Sequence, residues 1–299
     1  MIQLGPLRLE TPLVAAAGTF GSIVEFTDVA DFDAYGALVA KSVSDQPWPG
    51  RPAPRVAGTD VGMLNGIGVQ NPGIDSWLET VAPGFASLDV PVWGSAVGRT
   101  PGEFASVASK MSLGGIAAIE VNLSCPNLEG HSIIALDSAL SADVIREVRS
   151  VAGVPVGAKL SPNASNIVAI AASVVEAGAE FLTLTNTVKG AAIDIESRRP
   201  VLTGIIGGYS GPAIKPISLA CVVEVHAALP EIPIVGCGGV RTGRDVVEYL
   251  LAGATAVALG TVHFAEPRAG ERVLREMLEL VTRLGAHDPS ELTGGMRPW

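Results

Sequence analysis

The chain has 299 residues, 48% of them hydrophobic and 17% charged, with a formal net charge of −10. Such a composition permits a large buried core, and the acidic balance offers no basic face for phosphate backbones, which argues against a nucleic-acid partner. Three cysteines, Cys125, Cys221 and Cys237, are odd in number and widely spaced, so neither a disulfide framework nor a metal or iron–sulfur site is expected within the chain.

The first residues, Met1-Ile2-Gln3-Leu4-Gly5-Pro6, lack the basic and apolar regions of a signal peptide, and no apolar run reaches the ~20 residues of a membrane span. A cytoplasmic protein with reduced thiols is expected. Ile2–Leu4 and Leu7–Leu9 flank Gly5-Pro6 as a hairpin. Short apolar strands are predicted over 13–17, 37–42, 91–97, 117–123, 154–160, 180–186, 232–237 and 256–260. Helical patterns fall between most of them, over 101–113, 138–151, 165–177, 216–228, 242–252 and 268–284. Strands apolar on both faces with helices between them indicate parallel strands covered on both sides. Eight of them predict one α/β domain over 1–299, a (β/α)8 TIM barrel with the hairpin closing its bottom. An open doubly wound sheet fits eight strands and the missing G-x-G-x-x-G opening less well. Two excursions, 43–75 and 188–215, leave from C-terminal strand ends, where barrel enzymes place their chemistry.

The strand ends carry a consistent set of residues. The run to Leu123 leads into Ser124-Cys125-Pro126, which presents a thiol between Asn122 and Asn127. A buried cysteine at a strand end is the plainer reading of Cys125 alone. Lys41 and Lys159 fall in runs that otherwise read as buried strand, and a buried lysine needs an anion, an ion-pair partner or a ligand. Two at one barrel mouth favour a ligand. Gly236-Cys237-Gly238-Gly239 and Gly260-Thr261 end the last two strands, where backbone N–H groups can approach a phosphate. A phosphate-bearing cofactor whose ring faces two lysines points to flavin mononucleotide (FMN). The loop 62–73 is rich in backbone donors, and Asn65 with the N–H groups of Ile67 to Val69 could grip a carboxylate. Asn65, Asn122, Asn127 and Asn186 are four amides able to hold a ring with several N–H and C=O groups.

Together these stretches resemble the dihydroorotate dehydrogenases. The resemblance rests on Ala17-Gly18-Thr19-Phe20-Gly21, Lys41-Ser42, Pro54-Arg55-Val56, Gly62 to Asn65, Gln70 to Gly73, Asn122 to Asn127, and Val156 to Pro162. It continues through Thr185-Asn186-Thr187, Ser210 to Pro216, Gly236 to Val240 and Leu259-Gly260-Thr261. The form of 63–73 looks like the NAD-linked branch of class 1, and cysteine at 125 departs from the serine of class 2. The resemblance implies oxidation of dihydroorotate to orotate in pyrimidine biosynthesis, with Cys125 as the base and FMN as hydride acceptor. It implies that Lys41, Asn65, Gly66, Ile67, Gly68, Val69, Asn122, Asn127, Asn186 and Thr187 hold the substrate. The cofactor residues it implies are Ala17, Gly18, Lys41, Ser42, Ser95, Asn122, Lys159, Thr185, Gly211, Gly238, Gly239, Gly260 and Thr261. A partner subunit with FAD and an iron–sulfur cluster would carry electrons to NAD+, in a homodimer or heterotetramer. The alternatives are a class 1A-type enzyme using fumarate, or a related FMN barrel acting on another dihydropyrimidine. Two departures stand out: Leu128-Glu129-Gly130-His131 replaces a His-Gly-Gly type lid, and Ala17 stands where serine is common. Cys221, Cys237, His226 and His263 receive no role, with His226 expected on a helix surface and His263 at the barrel rim, and the tail 287–299 matches no family pattern.

Overall fold

A computed structural model of the chain describes residues 1–123, 134–297 and 299. The strands are β1 (Ile2–Leu4), β2 (Leu7–Leu9), β3 (Leu13–Ala15), β4 (Ala37–Val39), β5 (Val56–Thr59), β6 (Gly62–Asn65), β7 (Val92–Ala96) and β8 (Ala118–Asn122). They continue with β9 (Val156–Lys159), β10 (Phe181–Leu184), β11 (Val188–Gly190), β12 (Ile193–Asp194), β13 (Arg199–Pro200), β14 (Gly207–Ser210), β15 (Ile234–Cys237) and β16 (Ala256–Leu259). Eight of these, β3, β4, β7, β8, β9, β10, β15 and β16, close the expected (β/α)8 barrel, each parallel to the next. The ring is completed where Val257 and Leu259 of β16 face Leu13 and Ala15 of β3.

The predicted strands overrun the observed ones, chiefly at their C-terminal ends. Lys41, Leu123, Asn186 and Gly260 all lie just past the last paired residue, because the chain there turns outward to build the barrel mouth. The helices α2 (Pro101–Met111), α3 (Ser138–Val151), α4 (Ile167–Glu176), α5 (Lys215–Ala228), α6 (Gly243–Leu251) and α7 (Ala269–Arg283) follow the predicted patterns closely. Side chains cap several of them: Thr100, Asp137, Asn166 and Thr242 each accept from a backbone N–H of the first turn. A further helix, α1 (Ile74–Thr80), was not predicted; it buries only Ile74 and Trp77, too few residues to show a period.

Period-two alternation decides which residues enter the barrel. Trp93 of β7 and Phe181 of β10 fill its lower interior with ring centroids 5.0 Å apart. Ile2, Leu4 and Leu9 of the hairpin join that cluster, so the hairpin closes the bottom as expected. Two residues further along these strands stand Ser95 and Thr183, level with Glu120 of β8 and Lys159 of β9, and all four are buried. The interior is thus apolar below and polar above.

The two excursions do not stay separate. Strands β5, β6, β14 and β11 form one antiparallel sheet, with Leu64 facing Tyr209 across β6 and β14. A pairing between segments so distant in sequence leaves no local pattern. The tail is also placed: the Gly294 and Met296 N–H groups donate to the carbonyls of Leu250 and Leu251, at the end of α6. No helix among the described residues is long and apolar enough to cross a membrane.

Candidate active site

A cleft of about 560 Å³ opens at the C-terminal ends of the barrel strands, beside the β5–β6–β14–β11 sheet. That volume is within the ~300–1,000 Å³ of small-molecule sites. Of the expected residues, Ala17, Gly18, Lys41, Ser42, Asn65, Ile67, Val69, Asn122 and Lys159 line it. So do Thr185, Asn186, Thr187, Gly238, Gly239, Gly260 and Thr261. Ser95, Gly66, Gly68 and Gly211 stand behind this surface, and Cys125 and Asn127 lie outside the described residues. Val56, Met63, Ile214, Cys237 and Phe264 also line the cleft, and supply apolar walls that reasoning from polar residues passed over.

Four polar side chains form a chain across the floor. Asn186 Nδ2 donates to Asn122 Oδ1 at 3.3 Å, Asn122 Nδ2 donates to Ser42 Oγ at 3.1 Å, and Ser42 Oγ lies 2.9 Å from Ser95 Oγ. They come from four barrel strand ends, so closing the barrel orders the amides before any ligand arrives. Asn65 Nδ2 donates to the Gly208 carbonyl at 3.2 Å, which ties β6 to β14. The adjoining loop is held by Asn71, whose amide accepts from the N–H groups of Ser44 and Gly73 and donates to the Val69 carbonyl at 2.7 Å. Among the described residues, nothing accepts from the N–H groups of Ile67, Gly68 and Val69.

The lysines differ from expectation. Lys41 is only half-buried, two residues beyond β4, and its stem runs across Gly18, where a Cβ would come within 3.1 Å of it. Lys159 is buried and paired with Glu120, its Nζ 3.5 Å from Oε1. Sequence reasoning treated an ion pair and a ligand as alternatives; Lys159 is paired from below and still faces the cleft. Burial alone pushes its ammonium toward losing a proton, but Glu120 outweighs that, and its pKa lies above the ordinary lysine value. Cys237, beside the pair, has its thiol pushed up by burial.

On the opposite wall, Gly239 has φ of 70°, and a Cβ there would lie 2.8 Å from the Lys215 nitrogen and 2.9 Å from the Gly211 oxygen. Lys215 is itself fixed by Asp245 at 2.6 Å and Glu248 at 2.7 Å. Only glycine fits there, leaving bare backbone toward the cleft.

His263, expected at the rim, is buried instead, stacked on Phe20 with centroids 4.1 Å apart. Thr19 Oγ1 donates to the Ala16 carbonyl at 2.8 Å, so it accepts from His263 Nδ1–H at 2.9 Å, and Nε2 accepts from the Tyr35 hydroxyl at 2.8 Å. His226, expected on a helix surface, is half-buried and lies against Gly253 and Gly294. Burial lowers the His263 pKa from 6.5 to about 3. Below pH 6.5 the unfolded chain binds a proton that the folded chain refuses. Its contribution to stability is therefore complete above that pH and is lost as pH falls from 6.5 toward 3. NMR of the ring nitrogens is expected to show the neutral form persisting at pH 5; titration near 6.5 contradicts this.

A closed barrel with a buried ion pair beneath a floor of hydrogen-bonded amides, and glycines at the ends of its last two strands, defines a class: a TIM-barrel enzyme with its cleft at the C-terminal mouth of the barrel. The family model for dihydroorotate dehydrogenase matches residues 2–281. The catalytic subunit of dihydroorotate dehydrogenase B (NAD(+)) from Geobacter sp. strain M21 is 41% identical over 297 residues, covering 99% of this chain and 97% of that protein. The protein of the same name from Alkaliphilus oremlandii is 38% identical over 294 residues, with 98% and 97% covered. A crystal structure of a dihydroorotate dehydrogenase from Eimeria tenella, in complex with ferulenol, superposes with a TM-score of 0.82 at 20% identity. It covers 99% of this chain and 88% of that one, and establishes the fold. The chain belongs to the dihydroorotate dehydrogenase family.

Proposed function

We propose that this chain is the dihydroorotate-oxidising subunit of a cytoplasmic, NAD+-linked dihydroorotate dehydrogenase of pyrimidine biosynthesis, with FMN held across the barrel mouth. The observation that carries the reading is the cleft itself, where one surface joins Lys159, the Asn122–Asn186 amides and the glycine cradle. The residues present fit the cofactor. A Cβ at Gly239 would meet backbone, so this wall admits a phosphate only as bare amide, while a Cβ at Gly260 would have nothing closer than 3.5 Å. Gly238, Gly239, Gly260 and Thr261 would hold the phosphate end, with Ala17, Gly18, Ser42 and Thr185 around the rest and Gly211 and Ser95 supporting them from behind. When bound, the flavin supplies the acceptor for a hydride.

The chain's own residues do the remainder. Asn65, Asn122, Asn127, Asn186 and Thr187 orient the substrate ring, and the N–H groups of Ile67 to Val69 meet its carboxylate. Cys125 removes the proton from C5 as hydride leaves C6. Lys159, already charged and fixed by Glu120, would stabilise the negative charge that develops on the reduced ring without rearranging. Lys41 would lie between cofactor and substrate. The relatives' names describe a catalytic subunit. This supports a partner subunit; in this reading the partner carries FAD and an iron–sulfur cluster and passes electrons to NAD+, in a homodimer or heterotetramer.

The test is anaerobic reduction of the bound flavin by two rings that differ in the C6 carboxylate. Dihydroorotate is expected to bleach it and dihydrouracil to leave it oxidised; the reverse overturns the assignment. Gly239→Ala is expected to cost about 1–3 kcal/mol through its strained φ. The variant should also purify with less flavin per chain than the parent, and full flavin content with unchanged urea stability contradicts the cradle.

A further inference from the structure

Glu120 lies one layer below the cleft and lines none of it, yet it is an acid at an inward position of β8 and 2% exposed. Its Oε2 accepts from Thr183 Oγ1 of β10 at 2.8 Å, and its Oε1 faces Lys159 Nζ of β9 at 3.5 Å. Cys237 of β15 is the other ionisable side chain acting on Lys159 among the described residues. Burying a carboxylate costs several kcal/mol, and an apolar residue at 120 would fill the barrel without that cost. Because Glu120 does not reach the cleft, its effect on a ligand passes through Lys159.

Two consequences follow from its charge. It keeps the Lys159 ammonium charged and tethered in a place where burial opposes the charge. It also cancels that charge, so a ring over Lys159 faces an ion pair in place of a bare cation. We propose that Glu120, anchored by Thr183, is a positioning residue that fixes the Lys159 ammonium at the cleft floor and thereby sets the reduction potential of the flavin above it. This inference rests on the flavin reading.

The experiment uses the purified chain with its bound flavin, comparing the parent with Glu120→Gln by spectroelectrochemistry at pH 6 and pH 9 and by sulfite titration. At pH 6 the uncompensated ammonium is expected to raise the midpoint potential and tighten sulfite binding about tenfold, the size of effect one nearby charge exerts in a protein interior. At pH 9 the gap narrows, because the lysine without its acid gives up its proton. If Glu120→Gln does not fold, Glu120→Asp carries the test: its charge sits further from the lysine, and the same shift is expected at smaller amplitude. A potential and sulfite affinity equal to the parent's at both pH values overturn the proposal while the flavin reading stands. A colourless parent chain overturns both.

Discussion

Replacing Cys125 by alanine is expected to slow anaerobic bleaching of the bound flavin by dihydroorotate roughly 10²–10⁴-fold at pH 7, the range a positioned general base contributes. The flavin content of the purified variant should match the parent's. Cys125 itself lies outside the described residues, and three described groups in or beside the cleft are poorly suited to act as a base. Lys159 is held charged by Glu120 and has no lone pair to offer. The Cys237 thiol is pushed up by burial, which makes it a poor source of thiolate. His263 does not itself line the cleft, and both its ring nitrogens are engaged, by Thr19 and Tyr35. On the proposed reading the base is Cys125, in the segment that follows β8 in the sequence, and these three groups do not compete with it for that role. Unchanged bleaching in Cys125→Ala removes the thiol from that role.

Lys159→Met carries the second large effect, and it falls on stability as well as on catalysis. The lysine and Glu120 side chains are 8% and 2% exposed, so removing the cation leaves a carboxylate inside the barrel with Thr183 as its remaining described hydrogen-bond donor. Breaking a buried pair in this way costs about 3–5 kcal/mol. Urea unfolding should register that loss. The double variant Lys159→Met with Glu120→Gln is expected to recover most of it, because the unpaired charge is gone, yet to reduce its flavin as slowly as the single variant. Recovery of both stability and rate in the double variant contradicts a role for Lys159 toward the developing negative charge.

Much of this site was legible in the sequence because barrel chemistry collects at strand ends, and strand ends can be read from where apolar runs stop. Asn122, Lys159, Asn186, Gly238 and Gly260 were each found that way, and each lines the cleft. Glu120 was missed although its signal was present: an acid two residues before Asn122, at the same inward parity, within an otherwise apolar strand. His263 was misplaced because it follows the last strand in a short 3-10 turn with no period to show which way it faces. The sheet formed by the two excursions could not be read at all. Its strands are three or four residues long, and the pairing that joins the two excursions, β6 with β14, links segments far apart in the chain. Gly66, Gly68 and Gly211 were expected at the ligand but stand behind the cleft surface, Gly68 and Gly211 packed tightly against other backbone.

The central claim is that this cleft oxidises dihydroorotate on a bound flavin. The most direct measurement is an anaerobic titration of the purified chain with dihydroorotate, following flavin absorbance and orotate together. The account predicts complete bleaching as one orotate forms per flavin. A chain whose bound flavin stays oxidised in excess dihydroorotate, with no orotate formed, would contradict it.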